Sequence, residues 1–326
     1  MNSNVVITAG CVLAAIAASG SLFAQSAKSD YPNRQIRMIV PFPPAGTSDI
    51  IARIVGQKLS EAWGQSVLPD SRPGAGGSLG TEIAAKTAPD GYTLLVGNAA
   101  PISTNPLLVK VQYDTLRDFA AISLVARAPQ LIVVHPSVPV KTFPELIAYA
   151  KANGSKVNYG SSGVGTIAHL TAEMFKSMTG SEMVHITYKG MPLTINDLVA
   201  GTLQVVFSDM APALSQVKAG KLRPIATTGA RVTPLMPDVP TANEVLPGFE
   251  IVNWWGLFAP ANTPKEIVAR LNTEVVRTMQ MSDVREKFAT LGVEAVSTTP
   301  GELTAMVKSE IAAFSRLIKS ANIRAE

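Results

Sequence analysis

Short apolar runs of strand composition alternate with helical stretches along most of this chain, and that alternation limits its fold more than any other feature. "IRMIVPF", "GYTLLVGN", "QLIVVH", "VNYGS", "VHITY", "LQVVFSD", "RPIATTG" and "WWGLFAP" read as strands. On the first helical stretch Ile50, Ile51, Ile54, Val55, Leu59 and Ala62 fall on one face, and Gly64 ends it. Such alternation implies an α/β fold with largely parallel sheets. The 326 residues, 47% hydrophobic and 16% charged, exceed one typical sheet domain, so two domains are expected, with the helical stretch after "WWGLFAP" completing the first.

Three helix starts share one device. "TFPE" (Thr142 to Glu145), "TPKE" (Thr263 to Glu266) and "TPGE" (Thr299 to Glu302) place Thr at the cap and Glu three residues on, a capping-box pattern. The latter two add Pro at the first helical position.

The segment from Met1 to Ala27 is uncharged, with an apolar core from Val5 to Ala18 followed by small residues. It reads as a secretory signal peptide, cut between Ala24 and Ala27, although no Lys or Arg precedes the apolar run. Gly, Ser and Thr interrupt that run, and it is short for a membrane span. Cys11, the only cysteine, sits in "TAGC", an outline of a lipoprotein box, but most of the apolar region follows it. Removal of the leader would leave a thiol-free protein, without disulfides, thiolate metal sites or cysteine nucleophiles. That suits an oxidising compartment.

The charge balance, 28 Lys and Arg against 24 Asp and Glu, is mildly basic and scattered, and only 6% of residues are aromatic. No basic stripe with stacking aromatics marks a nucleic-acid surface.

Ligands of open α/β sheets bind beyond the carboxyl ends of strands. Four such ends carry small or hydroxyl residues: "PFPPAGTSD", "VGNAAPIST", "YGSSGVGTIAH" and "VFSDMAPA". A helix amino terminus there offers unpaired amides and partial positive charge. The candidate ligand-binding residues are Ala45, Gly46, Thr47, Ser48 and Asn98 on the first two ends. Ser161, Ser162, Gly163, Gly165, Thr166, His169 and Asp209 are those on the other two. Glycine at 163 and 165 would let backbone amides approach an anion.

Catalytic patterns fail. "GVGTIA" matches a dinucleotide fingerprint, but the next strand ends in Tyr188 and Lys189 rather than a ribose-binding acid, and no P-loop motif is present. Ser161 and Ser162 are candidate nucleophiles with His135, His169 or His185 as base, yet the position two after Ser162 is Val164, which breaks the nucleophile elbow. His169 and Glu173 share a helix face without a third metal ligand. Asp49 fits a first-turn dipole role, and Trp254 and Trp255 fit core or hinge packing. No catalytic residue, metal or cofactor is assigned.

The ordered series "PFPPAGTSDIIAR", "SRPGAGGSLGTEIAA", "PDGYTLL", "YGSSGVGTIAHL", "YKG", "GTLQVVFSD", "GKLRPIA", "PDVPTANE" and "WWGLFAPANTP" resembles the Bug family of periplasmic solute receptors, the substrate-binding subunits of tripartite tricarboxylate transporters. The likeness spans essentially the whole mature chain. Asp70-Ser71 replaces the family's usual Glu-Asn, and Asn262 a usual Gly. The resemblance implies a two-domain Venus flytrap of the periplasmic-binding-protein kind, each domain a mixed sheet flanked by helices. Domain one would be 28–126 plus 249–326 and domain two 127–248, after the signal peptide 1–27. It implies a monomer in the periplasm that clamps a small organic carboxylate and delivers it to a membrane transporter of the tripartite tricarboxylate type. A receptor reporting to a sensor kinase, and at greater distance a serine hydrolase, are the competing functions.

Overall fold

The computed structural model describes residues 31–321 and 323–324. The signal peptide and Cys11 lie outside the described residues. Strand β1 (Ile36–Val40) pairs in parallel with β2 (Val67–Ser71) and β3 (Thr93–Asn98). The sixteen-residue β4 (Phe119–Val134) follows, then β5 (Asn158–Ser161), β6 (Val184–Thr187), β7 (Val205–Asp209) and β8 (Arg223–Thr227). Strand β9 (Val252–Pro260) and the short β10 (Glu294–Ala295) complete the set. Strand order is β2-β1-β3-β9-β4-β7-β5-β6, with β8 and β10 on β4.

Two sheets share β4. From Phe119 to Pro129 it pairs antiparallel with β9, and from Gln130 to Val134 with β7, while β8 takes its other edge. The parallel pairing implied by strand–helix alternation is kept by β1, β2 and β3 in the first lobe and by β5, β6 and β7 in the second. The strands that carry the chain between lobes run antiparallel, so each sheet is mixed. At the crossing, Gln130 N–H donates to Thr228 Oγ1 at 2.8 Å, and Thr228 Oγ1 donates to Ile251 O at 2.6 Å.

Alternation along the strands divides the core. Ile36, Met38 and Val40 of β1 join one cluster with Ile51, Val55 and Leu59 of the helix Thr47–Trp63, while Ile39 faces the opposite layer with Leu95 and Phe258. In β4, Ile132 and Val134 pack with Phe143, Phe175 and Phe207, whereas Leu131 and Val133 pack with Ile195 and Met210. A layer on each sheet face is the α/β arrangement.

Gly64 ends the first helix in left-handed conformation, φ 65°. Asn262 has φ 66°, a conformation that Asn tolerates better than other non-glycine residues, so the departure from the family's Gly leaves the turn intact. Thr299 and Glu302 form the full capping box, and Thr142 caps its helix. The expected Thr263 cap is absent: the Thr263 hydroxyl donates to Pro260 O, and the helix Lys265–Gln280 starts from Pro264. No helix among the described residues is long and apolar enough to cross a membrane.

Candidate functional site

Helix starts from both lobes meet in one cleft. In the first lobe the chain leaves β1, turns through Pro41–Gly46 and enters the helix Thr47–Trp63. Gly46, Thr47 and Ser48 line the cleft. Gly46 is an extended N-cap without a side-chain bond, and the opening amides of a helix have no acceptor within it. Asp49 fixes this turn from inside: its Oδ2 accepts from Ala45 N–H and from Arg53 Nε, both at 3.0 Å. Ser48 Oγ accepts from the buried Trp255 Nε1 at 2.9 Å, which leaves its own hydrogen free to donate. The buried Thr47 hydroxyl has no hydrogen-bond partner among the described residues.

In the second lobe β5 leads through Ser162 and the glycine-rich loop to the helix Ile167–Thr179, whose N-cap Thr166 makes no side-chain cap bond. Ser162, Thr166, Ile167 and Ala168 line the cleft. The helices Met191–Val199 and Met210–Lys218 also begin there, through Met191 and Asp209. Four helix dipoles thus direct partial positive charge at one space.

Neutral polar groups fill in the walls. Asn98 Oδ1 accepts from Ala100 N–H at 3.1 Å, and Gln130 Oε1 accepts from Thr171 Oγ1 at 2.6 Å. Each keeps its amide nitrogen for another partner. Asn253 Nδ2 donates to Asp209 Oδ1 at 3.0 Å. Burial raises the Asp209 pKa; the Asn253 bond and the nearby Thr47 hydroxyl act against that rise. No Lys, Arg or His side chain lines the cleft.

Of the residues expected at a ligand, Gly46, Thr47, Ser48, Asn98, Ser162, Thr166 and Asp209 come together in the lining. Ala45 stands outside, exposed, with φ 64°. Ser161, Gly163, Gly165 and His169 also stand outside, as the loop's internal frame. Gly163 N–H donates to Ser161 Oγ at 3.1 Å and Gly165 N–H to His169 Nδ1 at 3.2 Å, so these amides are engaged within the loop rather than offered to an anion. Burial lowers the His169 pKa to about 4 and that of His185, stacked on it at 4.4 Å, to about 3, so both stay neutral. Ser161 Oγ lies 2.7 Å from His185 Nε2, a hydroxyl–imidazole pair, but Ser161 is fully buried, and Ser162, which reaches the cleft, shares it with no histidine. The nucleophile reading therefore has no accessible geometry.

The glycines serve the contact between lobes. The Thr104 hydroxyl of the first lobe donates to Gly165 O. A β-carbon on Gly165, at φ 78°, would stand 2.3 Å from Asn105 Oδ1, and one on Gly163 would stand 3.0 Å from Gly76 Cα. The lobes are closed on one another here.

Sequence reasoning missed Phe42, Gln130, Met191 and Asn253 in the lining. Gln130 and Asn253 had a signal: each is a polar residue at the head of an apolar strand run, at the crossing. Met191 had none, since an apolar residue at a helix start reads as core, and it does pack with Ile195 and Met210.

Residues 51–323 match the model of the tripartite tricarboxylate transporter family receptor. The protein BugT of Bordetella pertussis is 32% identical over 311 residues, 94% of this chain and 95% of its own. Among solved structures, Rpa4515 of R. palustris with adipate superposes at a TM-score of 0.88 with 35% identity, covering 90% of this chain and 99% of that one. MatC (Rpa3494) from Rhodopseudomonas palustris with bound malate gives 0.84 and 29%, covering 88% and 100%.

Proposed function

The chain belongs to the tripartite tricarboxylate transporter receptor family, and from that premise we propose that it captures a small organic carboxylate between its lobes and hands it to a membrane transporter of the tripartite tricarboxylate type. Members of this family are solute-binding receptors, not enzymes. The reading of this chain rests above all on one observation: helix starts from both lobes converge on a cleft of neutral donors and supply positive potential without a cation. The relatives solved with adipate and malate hold acids of this class. On this reading the described residues within 28–126 and 249–326 would move as one body and those of 127–248 as the other, hinged where Gln130, Thr228 and Ile251 are hydrogen-bonded. The leader 1–27 would deliver the protein to the periplasm, and mass spectrometry of secreted protein should show a start between Gln25 and Lys28.

Calorimetric titration with small organic acids and their methyl esters tests the carboxylate. The acid of a pair should bind tighter than its ester by about tenfold or more, and equal binding would remove the carboxylate from the cleft. Small-angle scattering should show a smaller radius of gyration once the acid saturates; an unchanged radius would contradict capture by closure.

A further inference from the structure

One ionisable side chain lines the cleft, and it is an acid. Asp209 ends β7 and opens the helix Met210–Lys218. An anion held only by neutral donors would face a like charge here, which disfavours ionisation of both groups. A ligand that turns an N–H or O–H toward Asp209 removes that conflict and gains a charge-assisted hydrogen bond. The place for such a donor exists. Asn253 engages Oδ1 of Asp209, and Oδ2 receives no hydrogen bond from the described residues. Beside it the buried Thr47 hydroxyl makes no full hydrogen bond but lies near enough to Asp209 to favour its charged form.

Burial works toward the protonated form of Asp209; its position at a helix amino terminus and the Asn253 amide donating to it work toward the ionised, accepting form. Resting on the carboxylate reading above, we propose that Asp209 is the specificity residue of the cleft, which takes a small carboxylic acid that also carries a hydroxyl or ammonium group in preference to a plain diacid. The helix starts and neutral amides hold the carboxylate; Asp209 holds the donor.

Matched pairs test this: succinate against malate and aspartate, and adipate against 2-aminoadipate. Each is titrated at neutral pH in two buffers of different ionisation enthalpy, with wild type and Asp209→Asn. The donor-bearing member of at least one pair should bind about tenfold or more tightly, without proton uptake. Asp209→Asn should abolish any preference for the ammonium compound and tighten the plain diacid, in a protein whose circular dichroism is unchanged. Plain diacids that bind wild type as tightly as their partners, with uptake of a proton, would overturn the proposal, because Asp209 would then be a protonated donor. The wild-type proton count reads this even if the variant fails to fold. A full preference retained in Asp209→Asn would also overturn it. Failure of every acid to bind would instead sink the carboxylate reading and this proposal together.

Discussion

The turn after β1 and the loop after β5 have the same plan, strand to helix without a side-chain cap, yet they are held in different ways. The first is fixed locally: Asp49 reaches Ala45 and Arg53, each four residues away. The second is braced from a distance, by His185 against Ser161 and by Thr104 and Asn105 of the other lobe against Gly165. The first therefore presents its helix start and hydroxyls to the cleft as a preformed surface. The second lies against the other lobe, and a side chain at Gly163 or Gly165 would collide with that lobe.

The largest test of this contrast pairs two glycines. At Gly165 a side chain enters left-handed backbone and meets Asn105 Oδ1 at 2.3 Å, whereas at Gly46 the nearest atom, Pro43 O, is 3.4 Å from a new β-carbon. Gly165→Val should hold the lobes apart and weaken binding of the best acid of the panel by about a hundredfold or more, with no contraction in small-angle scattering. Gly46→Ala should leave the unliganded protein's radius and melting temperature unchanged. A Gly165→Val protein that still contracts and binds would show that the second loop does not need the other lobe.

The same contrast explains what could be read in the sequence. Eight strand runs, the first helix with its Gly64 end, and the Thr142 and Thr299 caps depend on local periodicity and punctuation, and these were legible. Strand β2, "VLPDS", was not, because Pro69 and Asp70 are poor strand residues that pairing with β1 overrides. The first half of β4 was missed because "FAAISLVARA" alternates poorly and is bulged against β9. Thr47, Ser48 and Thr166 could be placed at the cleft from chain position alone. The inward roles of Ser161, Gly163, Gly165 and His169 could not, since they also depend on His185, Gly76, Thr104 and Asn105, which are distant in sequence.

A second test sets the lobes against each other by pH. In the first lobe Glu310 lies buried against Trp254 Nε1 and Ser103 Oγ, and burial raises its pKa from 4.5 to about 7. Between those values the folded state binds more protons than the unfolded, so this group's contribution to stability falls as pH rises through that window, by on the order of 3 kcal/mol. In the second lobe His169 is lowered from 6.5 to about 4. There the unfolded state binds more protons, and stability is lost as pH falls below 6.5. The slopes oppose. Denaturant unfolding should show Glu310→Gln flattening the decline from acid toward neutral pH, and His169→Gln reducing the loss at low pH. If Glu310→Gln follows the wild-type pH profile throughout, the Glu310 carboxyl is not desolvated as described.

The smallest test compares two hydroxyls that the sequence treats alike. Ser48 Oγ takes its hydrogen bond from Trp255 Nε1, so its own proton can go to a carboxylate in the cleft. Thr166 Oγ1 gives its proton to Gly163 O at 2.7 Å and can only accept. A carboxylate has no hydrogen to offer it. Ser48→Ala should therefore remove a ligand bond and also strand the indole N–H of Trp255, which is fully buried. The expected result is binding weaker by about tenfold and a stability loss of roughly 1–3 kcal/mol. In Thr166→Ala the Gly163 carbonyl keeps the Thr166 amide at 3.2 Å and the Ser161 hydroxyl at 3.1 Å. Its affinity should change by less than about threefold. Calorimetry with the same acid on both variants reads the difference. A Thr166→Ala defect equal to or larger than that of Ser48→Ala would mean that the second loop donates to the ligand after all, with its hydroxyl turned from Gly163 when the cleft is filled.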